Sequence, residues 1–122
     1  MSERKITNPL NVKFEPFDNY GAPIPGMSWH KISYNKETGQ GSYILKMEPG
    51  AKSLSHKHIN YEEFLMLDGE LIDSDNTIFK KGDFITFEPG SSHYSYTKTG
   101  CLALVFLRAR NEPLKNSYVK KI

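Results

Sequence analysis

Short candidate strands separated by turn residues extend over most of this chain, and this pattern limits its possible folds more than any other feature. Residues 27–34 (MSWHKISY), 41–47 (GSYILKM) and 101–107 (CLALVFL) are such strands, and segments such as EPGAKS, KKGD and EPGSS form turns between strands. Gly, Pro, Asn and Ser favour turns because they tolerate or require turn backbone angles. We count about eight to ten short strands and no helix before residues 113–122. The sequence therefore predicts an all-β domain, either a sandwich or a barrel.

The size and charge of the chain exclude several classes of protein. A chain of 122 residues, 38% of them hydrophobic, is long enough for one domain with one core. The formal net charge of +2 creates no strong field to hold nucleic acid or an anionic membrane. The longest apolar run, residues 101–107, is too short to cross a bilayer. We therefore expect neither nucleic acid nor a membrane as a partner.

Cysteine content and the first residues indicate the compartment. Cys101 is the only cysteine, so no disulfide forms within the chain, which is typical of a reducing compartment. The opening residues, MSERKITNPL, lack the apolar segment of a signal peptide. We predict a cytoplasmic protein.

The distribution of proline suggests how the chain is organised. Residues 1–25 are rich in proline, which fixes its backbone angle and lacks an amide donor, so we expect an extended N-terminal arm over the body. The barrel is predicted over residues 26–112. Residues 113–122 form a C-terminal tail in which a short helix is possible.

Residue alternation predicts which side chains face the core. Trp29 is expected inside and His30 outside, because adjacent residues on a strand face opposite sides. The run 101–107 is apolar throughout, which predicts burial on both faces. The candidates for the wall of an apolar pocket are Phe84, Phe87, Leu104 and Phe106.

Two histidines and two glutamates lie close together in the segment SHKHINYEE. His56 and His58 are separated by one residue, so on a strand both side chains point the same way. Neutral imidazole is a common ligand of zinc, iron, copper and nickel. A carboxylate from Glu62 or Glu63 can complete such a site, but only one of the two should face inward.

A further ligand must come from elsewhere in the chain. The other histidines are His30 and His93. His93 follows the Pro-Gly turn of FEPGSS and opens a predicted strand, a position in which a ligand is held rigidly. The residues therefore predict a metal site that contains His56, His58 and His93 with one glutamate.

Residues 50–69 resemble the first motif of the cupin family. That motif is a Gly, a His-x-His pair, a Glu and a Gly at fixed spacing, and its Glu falls on Glu62, which selects Glu62 over Glu63. The matching residues are Gly50, His56, His58, Glu62 and Gly69.

Residues 82–93 resemble the second cupin motif, in Gly82, Gly90 and His93. Two departures occur, neither at a ligand: the proline is adjacent to Gly90, and Thr97 stands where the motif often ends in Asn. Over most of residues 21–110 the pattern is similar to the ChrR-like cupins. These include the C-terminal domain of certain anti-sigma factors and small dioxygenases of the acetylacetone-cleaving type.

The resemblance implies a jelly-roll β-barrel, the cupin double-stranded β-helix, which is usually a homodimer. It also implies one divalent metal ion per chain and a small organic ligand or substrate. Fe(II) and Zn(II) are the expected ions, and Mn, Ni and Co also suit these donors. Tyr61, beside the ligand glutamate, is the candidate catalytic residue as a proton donor. The implied metal ligands are His56, His58, Glu62 and His93.

Two functions are compatible with this resemblance, and the sequence leaves open whether the protein is an enzyme. The leading hypothesis is a metal-dependent, dioxygenase-like enzyme that acts on a small molecule. The alternative is a non-enzymatic regulatory cupin of the ChrR type that senses a ligand or metal. Residues 1–25 contain no Cys or His for a sigma-binding zinc domain, which counts against an anti-sigma role. A metal-free cupin that acts on sugars is disfavoured by the complete ligand set.

Overall fold

The computed structural model describes residues 3–114, and all the regular structure in them is β-strand. This confirms the predicted all-β class. Eleven strands occur in the described part of the chain, more than the expected number because five of them are only two residues long. They are β1 (Glu15–Pro16), β2 (Met27–Lys31), β3 (Gly41–Met47), β4 (His56–Lys57), β5 (Glu62–Asp73), β6 (Ile78–Lys80), β7 (Phe84–Phe87), β8 (Ser92–His93), β9 (Ser95–Tyr96), β10 (Cys101–Leu107) and β11 (Glu112–Pro113).

The long strand β5 is the centre of a curled antiparallel sheet. Along one edge β5 pairs with β10, and the sheet continues outward from β10 through β3 and β2 to β1. Along its length β5 also pairs with β7 near its start and with β6 and β9 near its end. A small second sheet has the order β11-β4-β8. This small sheet matters for the site, because its pairing sets His56 directly opposite His93.

The core lies on the inner face of the curled sheet. In β10 the side chains alternate: Cys101, Ala103, Val105 and Leu107 are buried, whereas Phe106 on the other face is 41% exposed. The expected burial of this strand on both faces is therefore wrong. An antiparallel sheet can leave one face in contact with water even when that face is apolar.

Part of the predicted N-terminal arm packs over the body. Strand β1 pairs with β2, and the ring of Phe17 lies 4.8 Å from the ring of Trp29, centroid to centroid. The turn that follows is tied down by the hydroxyl of Tyr34, which donates to Asn19 Oδ1 at 2.9 Å. Trp29 is buried and His30 is not, as predicted. The arm thereby reaches the interior of the barrel.

Two further expectations concern the ends of the chain and membranes. Most of the tail in which a helix was expected, residues 115–122, lies outside the described residues. The division of the chain into an arm, a barrel and a tail, with boundaries after residues 25 and 112, stays a prediction. No helix in residues 3–114 is long and apolar enough to cross a membrane.

Candidate metal centre

Three histidines and one glutamate meet inside the barrel. Strand β4 places His56 opposite His93 of β8, His58 follows β4, and Glu62 is the first residue of β5. Lys57, between the first two histidines, is exposed, as expected for alternation on a strand. One nitrogen or oxygen atom from each of His56, His58, Glu62 and His93 lies within 4.8 Å of the others. This group could hold a metal ion.

The Nδ1 atom of each histidine has a partner that orients the ring. His56 Nδ1 donates to the carbonyl of Leu54 at 2.8 Å, and His93 Nδ1 donates to Asp73 Oδ1 at 2.6 Å. His58 Nδ1 lies 2.8 Å from Ser91 Oγ. The Ser91 hydroxyl donates to the Glu88 carbonyl at 2.7 Å, which leaves it free to accept from His58. Hydrogen bonds of this kind fix the orientation of histidines that bind metals.

The Nε2 atoms are therefore the ones that face the centre of the group. His56 Nε2 and His93 Nε2 are buried and have no hydrogen-bond partner. His58 Nε2 lies 2.9 Å from Glu62 Oε1, and His56 Nε2 lies 3.9 Å from the same oxygen. Buried polar atoms without partners are uncommon in proteins. Two such nitrogens beside a third imidazole and a carboxylate form a donor set that could hold a divalent metal ion.

The protonation states also suit a metal ion. Burial lowers the pKa of His56 to about 4, so its imidazole is neutral at pH 7. Burial by itself would raise the pKa of Glu62, but the hydrogen bond from His58 and the nearby imidazoles outweigh it and leave the pKa below its ordinary value. Metal ions bind neutral imidazole and ionised carboxylate, so no proton must leave these two groups first.

A cavity of about 50 Å³ adjoins the four residues, and His56, Glu62 and His93 form part of its wall. This volume is enough for a few water molecules or part of a small organic ligand. Much of the remaining wall is apolar and comes from the arm and from the inner face of the sheet. Apolar wall residues include Phe17, Ile24, Met27, Met47, Leu71 and Val105.

The other residues suggested by the sequence lie elsewhere. Glu63 faces away from the cluster, with its Oε1 3.8 Å from Arg108. Tyr61 is 36% exposed, and the guanidinium of Arg108 lies 4.9 Å from its ring centroid. Tyr61 is not among the residues that line the cavity, and its catalytic role stays a prediction. His30 is outside the cluster and bonds through Nδ1 to the Lys13 carbonyl.

The predicted apolar pocket is only partly correct. Three of the predicted residues, Phe84, Leu104 and Phe106, are not among those that line the cavity. Phe84 is 55% exposed and Phe106 41% exposed. Phe87 does reach the site: its ring centroid lies 4.8 Å from that of His58 and 4.2 Å from that of His93. Its packing holds two of the imidazoles in place.

Sequence reasoning missed several residues that complete the site. Asp73 and Ser91 orient two of the histidines, and Asn111 Nδ2 donates to Glu62 Oε1 at 3.2 Å. Tyr20 comes from the arm, lines the cavity and lies over His56, with ring centroids 6.5 Å apart. Ser91 gave a weak signal, because it follows the Pro-Gly turn just before His93. The others gave none, since only the folded chain brings them to the cluster.

Comparisons with known proteins identify the family and the fold. The profile of the ChrR cupin-like domain matches residues 3–111. A protein of unknown function with a cupin-like fold from Ralstonia eutropha is 15% identical, with a TM-score of 0.67, over 73% of this chain and 59% of that one. An acetylacetone dioxygenase from Acinetobacter johnsonii is 17% identical, with a TM-score of 0.65, over 88% of this chain and 79% of that one.

A chain in the structure of Rhodobacter sphaeroides SigE in complex with the anti-sigma ChrR is also similar. It is 18% identical, with a TM-score of 0.60, over 79% of this chain and 48% of that one. The present chain thus spans less than two thirds of the Ralstonia protein and of the SigE–ChrR chain. At these identities the likeness shows the fold alone. No curated protein sequence matches the chain.

The family profile covers most of the chain, including both segments that supply the clustered histidines. The solved structures have the same barrel. This chain belongs to the ChrR cupin-like family and has the cupin fold.

Proposed function

We propose that this protein is a metal-dependent, dioxygenase-like enzyme that acts on a small organic substrate. One observation carries the proposal: the two unpartnered Nε2 atoms, of His56 and His93, belong to residues that line an otherwise largely apolar cavity. His56, His58, Glu62 and His93 are the proposed ligands, and Fe(II) is the proposed ion. When bound, a redox-active ion with four protein ligands has open positions for a chelating oxygen substrate and for O₂.

The protein's own residues have three tasks in this proposal. Leu54, Ser91 and Asp73 hold the three imidazoles so that each presents Nε2 to the ion. Asn111 holds Glu62 by donating to its carboxylate. The apolar wall excludes water and accepts the carbon skeleton of a small substrate. Chelation of the ion would favour molecules whose oxygens are on adjacent carbons or on two carbons separated by a third.

The first test is the metal content of tag-free protein, measured by mass spectrometry for the wild type and two variants. His93→Ala removes a proposed ligand, and His30→Ala removes a histidine outside the cluster. We expect about one ion per chain in the wild type and in His30→Ala, and much less in His93→Ala. Equal metal content in all three proteins, or none in any after reconstitution, would contradict the proposed site.

The second test is oxygen consumption by protein loaded anaerobically with Fe(II). We expect uptake with at least one member of a panel of β-diketones, enediols and thiols, and background uptake in His93→Ala. No uptake across the panel would contradict the dioxygenase proposal and leave the metal site standing.

The family description supports a second candidate, a ligand- or metal-sensing regulatory cupin. The same four donors suit Zn(II), which has no redox chemistry and would make the centre structural or sensory. Zinc at about one ion per chain, no oxygen uptake and a stoichiometric protein partner in a pull-down would favour it. A homodimer and a cytoplasmic location stay expectations, and light scattering on the purified protein tests the first.

A further inference from the structure

Asn111 has one buried atom that no described residue satisfies. Glu62 sets the orientation of the Asn111 side-chain amide. One end of that amide lies 3.2 Å from Glu62 Oε1, and because a carboxylate accepts hydrogen bonds, that end must be the Nδ2 donor. The Oδ1 atom is then fixed as well, and it is buried without a partner in a residue that is only 3% exposed. Asn111 lines the cavity. An acceptor beside the proposed metal ligands is therefore ready for a donor from a ligand.

Tyr20 supplies a donor in the same wall. The arm brings its ring over His56, with the two ring planes 26° apart, and Tyr20 also lines the cavity. Its hydroxyl lies close enough to interact with the side-chain amide of Asn111. The ordinary pKa of a phenol is about 10, so the hydroxyl keeps its proton at neutral pH. Tyr20 can therefore donate a hydrogen bond to a ligand oxygen.

A hydroxyl group is the ligand function that matches both atoms, because it donates through its hydrogen and accepts through its oxygen. A ketone oxygen can accept from Tyr20 but leaves Asn111 Oδ1 unsatisfied. An unsatisfied buried acceptor costs free energy, so the site should discriminate between the two kinds of oxygen. The charged groups in the wall are the proposed metal ligands, so the rest of the ligand should be small and apolar.

We propose that Asn111 and Tyr20 bind a hydroxyl group of the ligand, so that the natural ligand is a small α-hydroxy carbonyl compound rather than a simple diketone. This inference rests on the proposed function, because a carbonyl oxygen beside that hydroxyl would take an open position on the metal. It names the class of substrate for the same site.

The test compares two probes that differ in one oxygen. Protein loaded with Co(II) is titrated with 3-hydroxybutan-2-one and with butane-2,3-dione, and binding is followed by the visible absorption of the cobalt. For the wild type we expect the dissociation constant of the hydroxyketone to be ~10-fold lower, the effect of about one hydrogen bond. Binding affinity, rather than turnover, is the readout, so the result does not depend on oxygen chemistry.

Three variants show which residues cause the preference. Tyr20→Phe keeps the ring over His56 and removes only the hydroxyl, and Asn111→Leu keeps a similar volume. Tyr96→Phe removes the same group from a tyrosine that does not line the cavity. We expect the preference for the hydroxyketone to fall to about threefold or less in Tyr20→Phe and Asn111→Leu and to persist in Tyr96→Phe. Cobalt content and melting temperature are measured for each protein.

Several results would overturn the inference. They are equal affinity of the wild type for both probes, a preference that survives in Tyr20→Phe and Asn111→Leu, and failure of the metal-loaded wild type to bind either probe. A clear preference without oxygen uptake would support the inference and contradict the dioxygenase proposal, so the two can fail separately.

Discussion

The carboxylate of Asp73 offers the sharpest test of how the fold supports the proposed metal centre. Its Oδ1 accepts from His93 Nδ1 at 2.6 Å, and the two side chains are 10% and 7% exposed. A hydrogen bond to an ionised group is about twice as strong as one between neutral groups. Asp73→Asn keeps the shape of the side chain and removes its charge. The amide oxygen can still accept a hydrogen bond from His93.

The size of the effect follows from this change. A hydrogen bond to a charged group contributes about 1.5–3 kcal/mol and a neutral one about 0.5–1.5 kcal/mol, so the substitution removes roughly 1–1.5 kcal/mol. That corresponds to about a tenfold weaker metal affinity. The value is at the low end of the 10- to 100-fold losses that are typical of residues that orient metal ligands.

The assay is competition for Zn²⁺ against a chromophoric chelator at fixed pH. Asp68→Asn is the matched control. Asp68 is on β5 like Asp73, and the substitution removes the same charge at an exposed position. We expect its affinity to stay within twofold of the wild type. Wild-type affinity in Asp73→Asn, or an equal loss in Asp68→Asn, would refute the claim that the Asp73–His93 bond supports metal binding.

Two further predictions concern the stability of the metal-free protein. Gly69→Ala should cost several kcal/mol, because Gly69 has a φ of +72° and a Cβ there would lie 2.0 Å from the Gly100 carbonyl oxygen. Gly82 has a φ of +93° and open space around the position of a Cβ, so Gly82→Ala should lower the free energy of unfolding by only about 1–2 kcal/mol. Urea unfolding measures both variants, and an equal loss of stability in the two would contradict the clash at Gly69. Separately, the free energy of unfolding should fall as the pH drops from 7 to 4. The pKa of His56 is lowered from 6.5 to about 4, so the unfolded chain binds more protons than the folded one between these values. The pKa of Glu62 is also lowered, and its protonation destabilises the folded chain in the same direction once the pH falls below the ordinary value of 4.5. Unchanged stability across this range would contradict the proposed burial of the neutral imidazole.

The positions of the four proposed ligands could be predicted because each has a local signature. His56 and His58 are separated by one residue on an extended segment, and alternation alone directs both inward. Glu62 was distinguished from Glu63 by motif spacing, and the structure places Glu62 in the cluster and Glu63 outside it. His93 was indicated by the rigid turn before it.

The faces of the apolar strands could not be predicted in the same way. In CLALVFL every residue is apolar, so alternation carries no signal, and the sequence predicts burial on both faces. Its outward face includes Phe106, which is 41% exposed. Phe84 and Phe87 are three residues apart on β7, so alternation places them on opposite faces but does not say which face is the inner one. In the structure Phe84 is exposed and Phe87 packs against the imidazoles.

The sequence by itself determined the all-β class, the family and the residues of the proposed metal centre, because these depend on short-range spacing along strands and turns. Only the tertiary structure decided what surrounds that centre. Asp73 reaches His93 across 20 residues of chain, Asn111 reaches Glu62 across 49, and Tyr20 arrives on the arm. Such contacts depend on which strands pair and in which register, and these long-range choices leave no local pattern in the chain.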